Sequence, residues 1–110
     1  MALKDIKVSK RYYDENYDHV QLSHNKIYFG LTKDKQSIVY ITPTRIDYDG
    51  ELEVRIVIFD VYFKSILSIK YDSAWNSKKY FEDFYANEYY AFDKQYKNEF
   101  IVYLSEGFKL

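Results

Sequence analysis

Between Leu52 and Phe63 the chain alternates so that Leu52, Val54, Ile56 and Ile58 share one face, while the other passes from Glu53 and Arg55 to Val57, Phe59, Val61 and Phe63. A strand that is apolar on both faces belongs inside a sheet, with cover above and below it. This segment therefore sets what the remaining residues must supply: strand neighbours on its edges and two covering layers.

The neighbours are legible on either side. Residues 26–32 (KIYFGLT) and 37–42 (SIVYIT) are β-branched and aromatic, and the polar stretch Lys33 to Gln36 separates them, which predicts a hairpin. A four-residue loop sets Leu31 against Ile38 and Phe29 against Tyr40. Pro43 reads as a strand end or an edge kink. The Asp49-Gly50 pair suggests a two-residue turn, but that register mixes the apolar side chains of one strand with the acidic ones of the next. A three-residue loop, Tyr48-Asp49-Gly50 with Gly50 left-handed, places Ile46 opposite Leu52 and Arg45 opposite Glu53. Residues 66–71 (ILSIKY) predict a further strand after a turn or bulge at Lys64-Ser65.

After Asp72-Ser73 the period changes. From Ser77 to Tyr96, helical spacing collects Phe81, Phe84, Tyr85, Tyr89, Phe92 and Tyr96 on one stripe and Lys79, Asp83, Asn87, Tyr90 and Lys94 on the other. Ser77 or Asn76 is the expected N-cap. Glu88 breaks the stripe, so two short helices divided near Ala86-Asn87 form the alternative. Residues 99–104 (EFIVYL) then predict a last strand, and 105–110 a tail. The expectation is one α+β domain over residues 1–110: an antiparallel sheet of about five strands, a C-terminal helical region packed on one face, and a final strand. The second apolar face of residues 54–63 then requires the N-terminal segment or a second copy of the chain, a homodimer through the sheet.

Composition narrows the function classes. Without cysteine, disulfide staples and thiolate zinc sites are excluded, so packing carries the stability. The net charge of −1 supplies no basic footprint for nucleic acid. The N-terminal residues carry charges and no apolar run like that of a secretory signal, and the apolar runs are far too short to span a membrane, which predicts a cytoplasmic protein without a membrane partner. Fourteen tyrosines and eight phenylalanines admit two readings, an aromatic binding surface or a core filled with tyrosine whose hydroxyls find partners.

No arrangement of residues specifies chemistry. His19 and His24 lie near Asp14, Glu15 and Asp18, but their spacing matches no zinc or two-metal motif, and no metal or other cofactor is implied. Asp60, in register with Ile58 and Tyr62, is a carboxylate in the most apolar segment, expected to accept a structural hydrogen bond from a tyrosine hydroxyl or a bulged backbone N–H. The isolated glycines Gly30, Gly50 and Gly107 form no phosphate loop, and no serine sits in a nucleophile elbow. The helical reading brings Asp83, Asn87 and Tyr90 onto one polar ridge with Tyr80 at its border, a composition suited to a protein contact. The expected function is accordingly a small protein-binding module rather than an enzyme, in the manner of bacterial or phage inhibitors and immunity proteins. Tyrosine stacking on single-stranded nucleic acid and a small enzyme using Asp60 are the alternatives.

Overall fold

The computed structural model describes residues 5–16 and 21–107. β2 (Lys26–Leu31) and β3 (Ser37–Ile46) form the expected hairpin, with Leu31 opposite Ile38 and Phe29 opposite Tyr40. β4 (Leu52–Asp60) pairs with β3 through the three-residue loop: Ile46 faces Leu52, Arg45 faces Glu53, and Gly50 has a φ of +81°. Asp47 organises that loop, its carboxylate accepting from the backbone N–H groups of Asp49 and Glu51. Pro43 stands within β3 rather than at its end, beside a bulge between Pro43 and Arg45. It lies beyond the last β2–β3 pair, where β3 has a ladder partner only in β4. β5 (Ser65–Ser73) continues the antiparallel order along β4.

The C-terminal third departs from the helical expectation. α1 spans Ala74–Glu82 and is capped by Ser73, whose Oγ accepts from the Asn76 N–H at 3.2 Å. Ser77 is not the cap: it is buried in the second turn and donates its hydroxyl to the Ala74 carbonyl at 2.7 Å. After Asp83 the chain makes a short 3-10 turn in which Ala86 and Asn87 take left-handed φ values of 54° and 56°. It then enters β6 (Glu88–Asp93), which lies in the sheet between β2 and β1 (Ser9–Tyr12). The six strands run in the order β1-β6-β2-β3-β4-β5, every neighbour antiparallel.

Residues 88–93 satisfy either period, and tertiary pairing decides between them. As a strand, Tyr89 and Ala91 point to one face and Tyr90 and Phe92 to the other, and both faces are apolar. The run 99–104 reverses in the opposite sense, lying inside α2 (Lys97–Glu106). Its buried Phe100, Tyr103 and Leu104 have the i, i+3, i+4 spacing of one helical face, which a short apolar run does not distinguish from a strand.

Two cores result, one on each side of the sheet. On one side α1 and the turn after it contribute Phe81 and Phe84, which pack with Tyr28, Val39, Ile41, Val54, Ile56, Tyr89 and Ala91. On the other, α2 contributes Phe100, Tyr103 and Leu104 against Ile27, Phe29, Ile38, Tyr40, Val57, Phe59 and Phe92. The second face of β4 is thus covered by α2 of the same chain, with Ile6 from the N-terminal segment joining that core. Phe100 is the centre of the aromatic packing, with ring centroids 4.8 Å from Phe29, 5.1 Å from Phe92 and 5.3 Å from Tyr40.

Phe84 explains Gly30. A Cβ on Gly30 would stand 2.6 Å from Phe84 Cγ, so the ring occupies the space that any other residue needs. Replacing Gly30 by Ala is expected to destabilise the protein by about 1–3 kcal/mol in chemical denaturation, overpacking outweighing the smaller gain from a stiffer unfolded chain. The same measurement checks the face assignments. Phe92→Ala should cost about 3–5 kcal/mol and Tyr90→Ala roughly 1–2 kcal/mol, whereas Tyr85, predicted to lie in the core but 43% exposed, should tolerate alanine with little change.

Candidate functional site

The polar ridge expected from a single helix does not form. Tyr80 lies near the end of α1, half-buried against the core on that side, with Lys79 Nζ 5.5 Å from its ring centroid. Asp83 closes α1, and its carbonyl accepts from the Lys33 N–H at 3.0 Å. Asn87 is exposed in the left-handed turn, its carbonyl accepting from the Tyr13 N–H at 2.7 Å. Tyr90 points to the opposite side of the sheet, where its ring stacks on Phe29 at 5.2 Å and its hydroxyl donates to Glu88. The strand period thus separates Tyr90 from the other three. Glu88, which disturbed the helical stripe, instead pairs with Lys10 of β1 at 2.9 Å, tying β6 to the sheet edge.

Asp60 has a structural backbone partner, but in a turn rather than a bulge, and it stands at the end of the strand rather than inside the apolar segment. It ends β4, and its carboxylate accepts from the Phe63 N–H at 2.7 Å, holding the turn into β5. Among the other residues considered for a metal site, His24, Asp14 and Glu15 are exposed, and His19 and Asp18 lie outside the described residues. Among the described residues no group of three or more His, Cys, Asp or Glu side chains is placed to hold a metal ion. No helix among them is long and apolar enough to cross a membrane.

The surface that stands out lies on the strand expected at residues 66–71 and in the turn before it. Exposed large apolar side chains concentrate between Tyr62 and Trp75: Tyr62 (79%), Phe63 (74%), Ile66, Leu67, Ile69, Tyr71 (63%) and Trp75. The β4–β5 register explains the arrangement. Phe59 opposes Ile66, Val57 opposes Ile69 and Arg55 opposes Tyr71, so this row of β5 lies on the α2 side of the sheet. The core under α2 extends as far as Val57 and Phe59 and leaves the β5 row in solvent. Among the described residues β5 has no strand beyond it, so its outer backbone groups are unpaired in the ladder. At the start of the strand, the Tyr62 and Phe63 rings pack edge to face at 4.9 Å, forming an exposed aromatic knuckle. The signal was present in the sequence as Ile66, Ile69 and Tyr71 at alternating and near-alternating positions, but only the sheet order shows that no strand follows.

The sheet interior also holds polar groups. Thr42 and Arg55 are cross-strand partners on β3 and β4, and Thr42 Oγ1, Arg55 Nε and, in the first turn of α2, Glu99 Oε2 are buried without a direct hydrogen bond. Burial holds the Lys97 ammonium below its ordinary pKa, and the nearby charges of Arg55 and Lys94 act in the same direction. Tyr40 and Tyr89 are held above the ordinary phenol value chiefly by burial, with Arg55 and Arg11 respectively pulling the other way. Comparison with known proteins returns no family model, no curated protein and no solved structure that matches the chain.

The tyrosine shifts have a defined sign. Both phenols hold their protons more tightly in the folded protein, so their contribution to stability is complete below the unfolded phenol pKa near 10.0 and is lost as pH rises through the folded values. Tyrosinate absorbance should therefore show a class titrating above the free phenol. Stability should fall more steeply above pH 10.0 in the parent than in a Tyr40→Phe, Tyr89→Phe variant, where this contribution is removed.

Proposed function

We propose that the chain is a protein-binding module that receives an extended segment of another protein along the free edge of β5. The observation that carries this reading is the coincidence, on one strand, of an open backbone edge and an unshielded apolar row. Soluble proteins usually blunt such an edge with charge, short length or cover. β1, the opposite edge, follows that rule: it has four residues and includes Lys10 and Arg11. β5 has nine residues, and its two charged side chains, Lys70 and Asp72, lie on the side away from Ile66, Ile69 and Tyr71. From Ser68 to Ser73 its register against β4 is regular, so a further strand would meet an undistorted ladder. Main-chain hydrogen bonds would supply affinity, and the Ile69 and Tyr71 side chains with the Tyr62–Phe63 knuckle would supply specificity.

Such binding requires no catalytic group and agrees with an inhibitor or immunity-type role, in which occupying a partner's surface is the whole activity. Exposed aromatic rings also suit single-stranded nucleic acid, but stacking of that kind needs cations tracking the phosphates. Along residues 60–72, Lys64 and Lys70 are matched by Asp60 and Asp72, and one cation, Lys78, lies over the Trp75 ring, which makes no row of cations and favours a protein partner. Asp83 and Asn87 lie at the far end of α1 and in the turn after it, and Tyr90 packs on the sheet between β1 and β2, apart from the β5 edge proposed here as the contact.

The test compares wild type with Ile69→Lys and Tyr71→Lys, whose new charges project from already exposed positions. A protein captured from a lysate of the source organism should, once purified, bind wild type at least tenfold more tightly than either variant, a difference of about 1.4 kcal/mol, with melting temperatures unchanged. Tyr12→Ala on the opposite edge should bind as wild type does. Undiminished binding by both β5 variants would overturn the proposal. So would a wild-type dimer in sedimentation that Ile69→Lys splits into monomers, because a second copy would then be the occupant.

A further inference from the structure

A cleft of about 320 Å³ opens on the α1 side of the sheet, at the end away from β5. Its floor follows from the register of three strands: Arg11 of β1 opposes Tyr89 of β6, and Ala91 of β6 lies between Ser9 of β1 and Tyr28 of β2. Ala91 is the small residue in a row of larger ones, so the sheet surface is hollow there, and Tyr28, Tyr89 and Leu22 line the hollow with it.

The polar groups of this cleft are unevenly matched. Lys26 is neutralised by Asp93 at 2.6 Å, and the Tyr28 hydroxyl accepts from the Ser23 N–H at 2.8 Å. Arg11 has no carboxylate partner among the described residues. The Tyr89 hydroxyl likewise makes no hydrogen bond among them; although only 7% of Tyr89 is exposed, its hydroxyl is not sealed from solvent. A phenol hydroxyl that solvent reaches keeps its donor available to a ligand in the cleft. An unpaired guanidinium on the adjoining strand presents the planar fork that matches a carboxylate.

We propose that this cleft binds a small organic monocarboxylate. The carboxylate pairs with Arg11 and accepts from the Tyr89 hydroxyl, while an apolar or single-ring body lies over Ala91 against Tyr28 and Leu22. Among the described residues Arg11 is the one cation of the cleft without a carboxylate, which calls for one negative charge, and a volume near the lower end of ligand pockets calls for a small body. The site is separate from the β5 edge and does not depend on the partner-binding reading.

Phenylacetate serves as the probe, followed by amide chemical shifts of the 110-residue chain. Phenylacetamide has the same body without the charge, and inorganic phosphate has charge without the body. Phenylacetate should cause saturable shifts at Arg11, Ser23, Tyr89 and Ala91, with phenylacetamide and phosphate binding at least roughly tenfold more weakly. Arg11→Gln, at an exposed edge position, should weaken phenylacetate by a similar factor while leaving shifts in β3 and β4 unchanged, and Tyr89→Phe should weaken it while retaining the fold. Absence of saturable shifts with phenylacetate would overturn the proposal. Equal binding of phenylacetamide or phosphate, or undiminished binding by folded Arg11→Gln, would do the same.

Discussion

Val57 and Phe59 on one face of β4, and Val54 and Ile56 on the other, leave the strand no face that water can wet without cost, and β3 repeats the situation with Ile38 and Tyr40 against Val39 and Ile41. Each such side chain contributes about 1.5–3 kcal/mol when fully buried, so both faces of this strand pair must be covered for the domain to be stable. The chain answers with one helix per face. α1 follows directly from β5 and closes one side, and α2 at the C-terminus closes the other. β6 is the connection between them, and its placement beside β2 is what brings the chain from one side of the sheet to the other.

Covering two faces with short helices has a geometric consequence. An antiparallel sheet of six strands is wider than one helix, and α2 concentrates its aromatic packing on Phe29, Tyr40 and Phe92 of β2, β3 and β6. The strand at the far edge, β5, is left with its row of Ile66, Ile69 and Tyr71 in solvent. On the other face, α1 and Phe84 cover the middle of the sheet, and the hollow over Ala91 lies beyond them. The edge and the cleft are thus both places where the covering layer runs out, which is why they are the surfaces proposed for ligands.

The abundant tyrosines divide along the same geometry. Tyr28, Tyr40, Tyr89 and Tyr103 are core residues, while Tyr48, Tyr62 and Tyr71 stand in solvent. The two readings of the composition therefore both hold, each for a different set of positions. No count of tyrosines could have assigned them, because burial depends on which strand lies next to which.

Local patterning determined the middle of this protein. Residues 26–60 carry a period-2 alternation, and the parity of Ile46 and Leu52 about Gly50 admits only one loop length, so hairpin, register and the left-handed glycine were all legible before any tertiary contact was considered. Local patterning failed where one run of residues satisfied two periods. Residues 88–93 and 99–104 each fit a helix or a strand, and the choice was made by β2, which offers a backbone edge to the first, and by the apolar sheet face, which needs the i, i+3, i+4 surface of the second. β1 was invisible for a related reason: all four of its residues are exposed, so it carries no apolar signal and exists only because β6 has an edge to pair. The candidate sites belong to the same class. Arg11, Ala91 and Tyr28 converge, and β5 becomes an edge, only through the order of the strands, which is a property of the whole sheet and not of any segment within it.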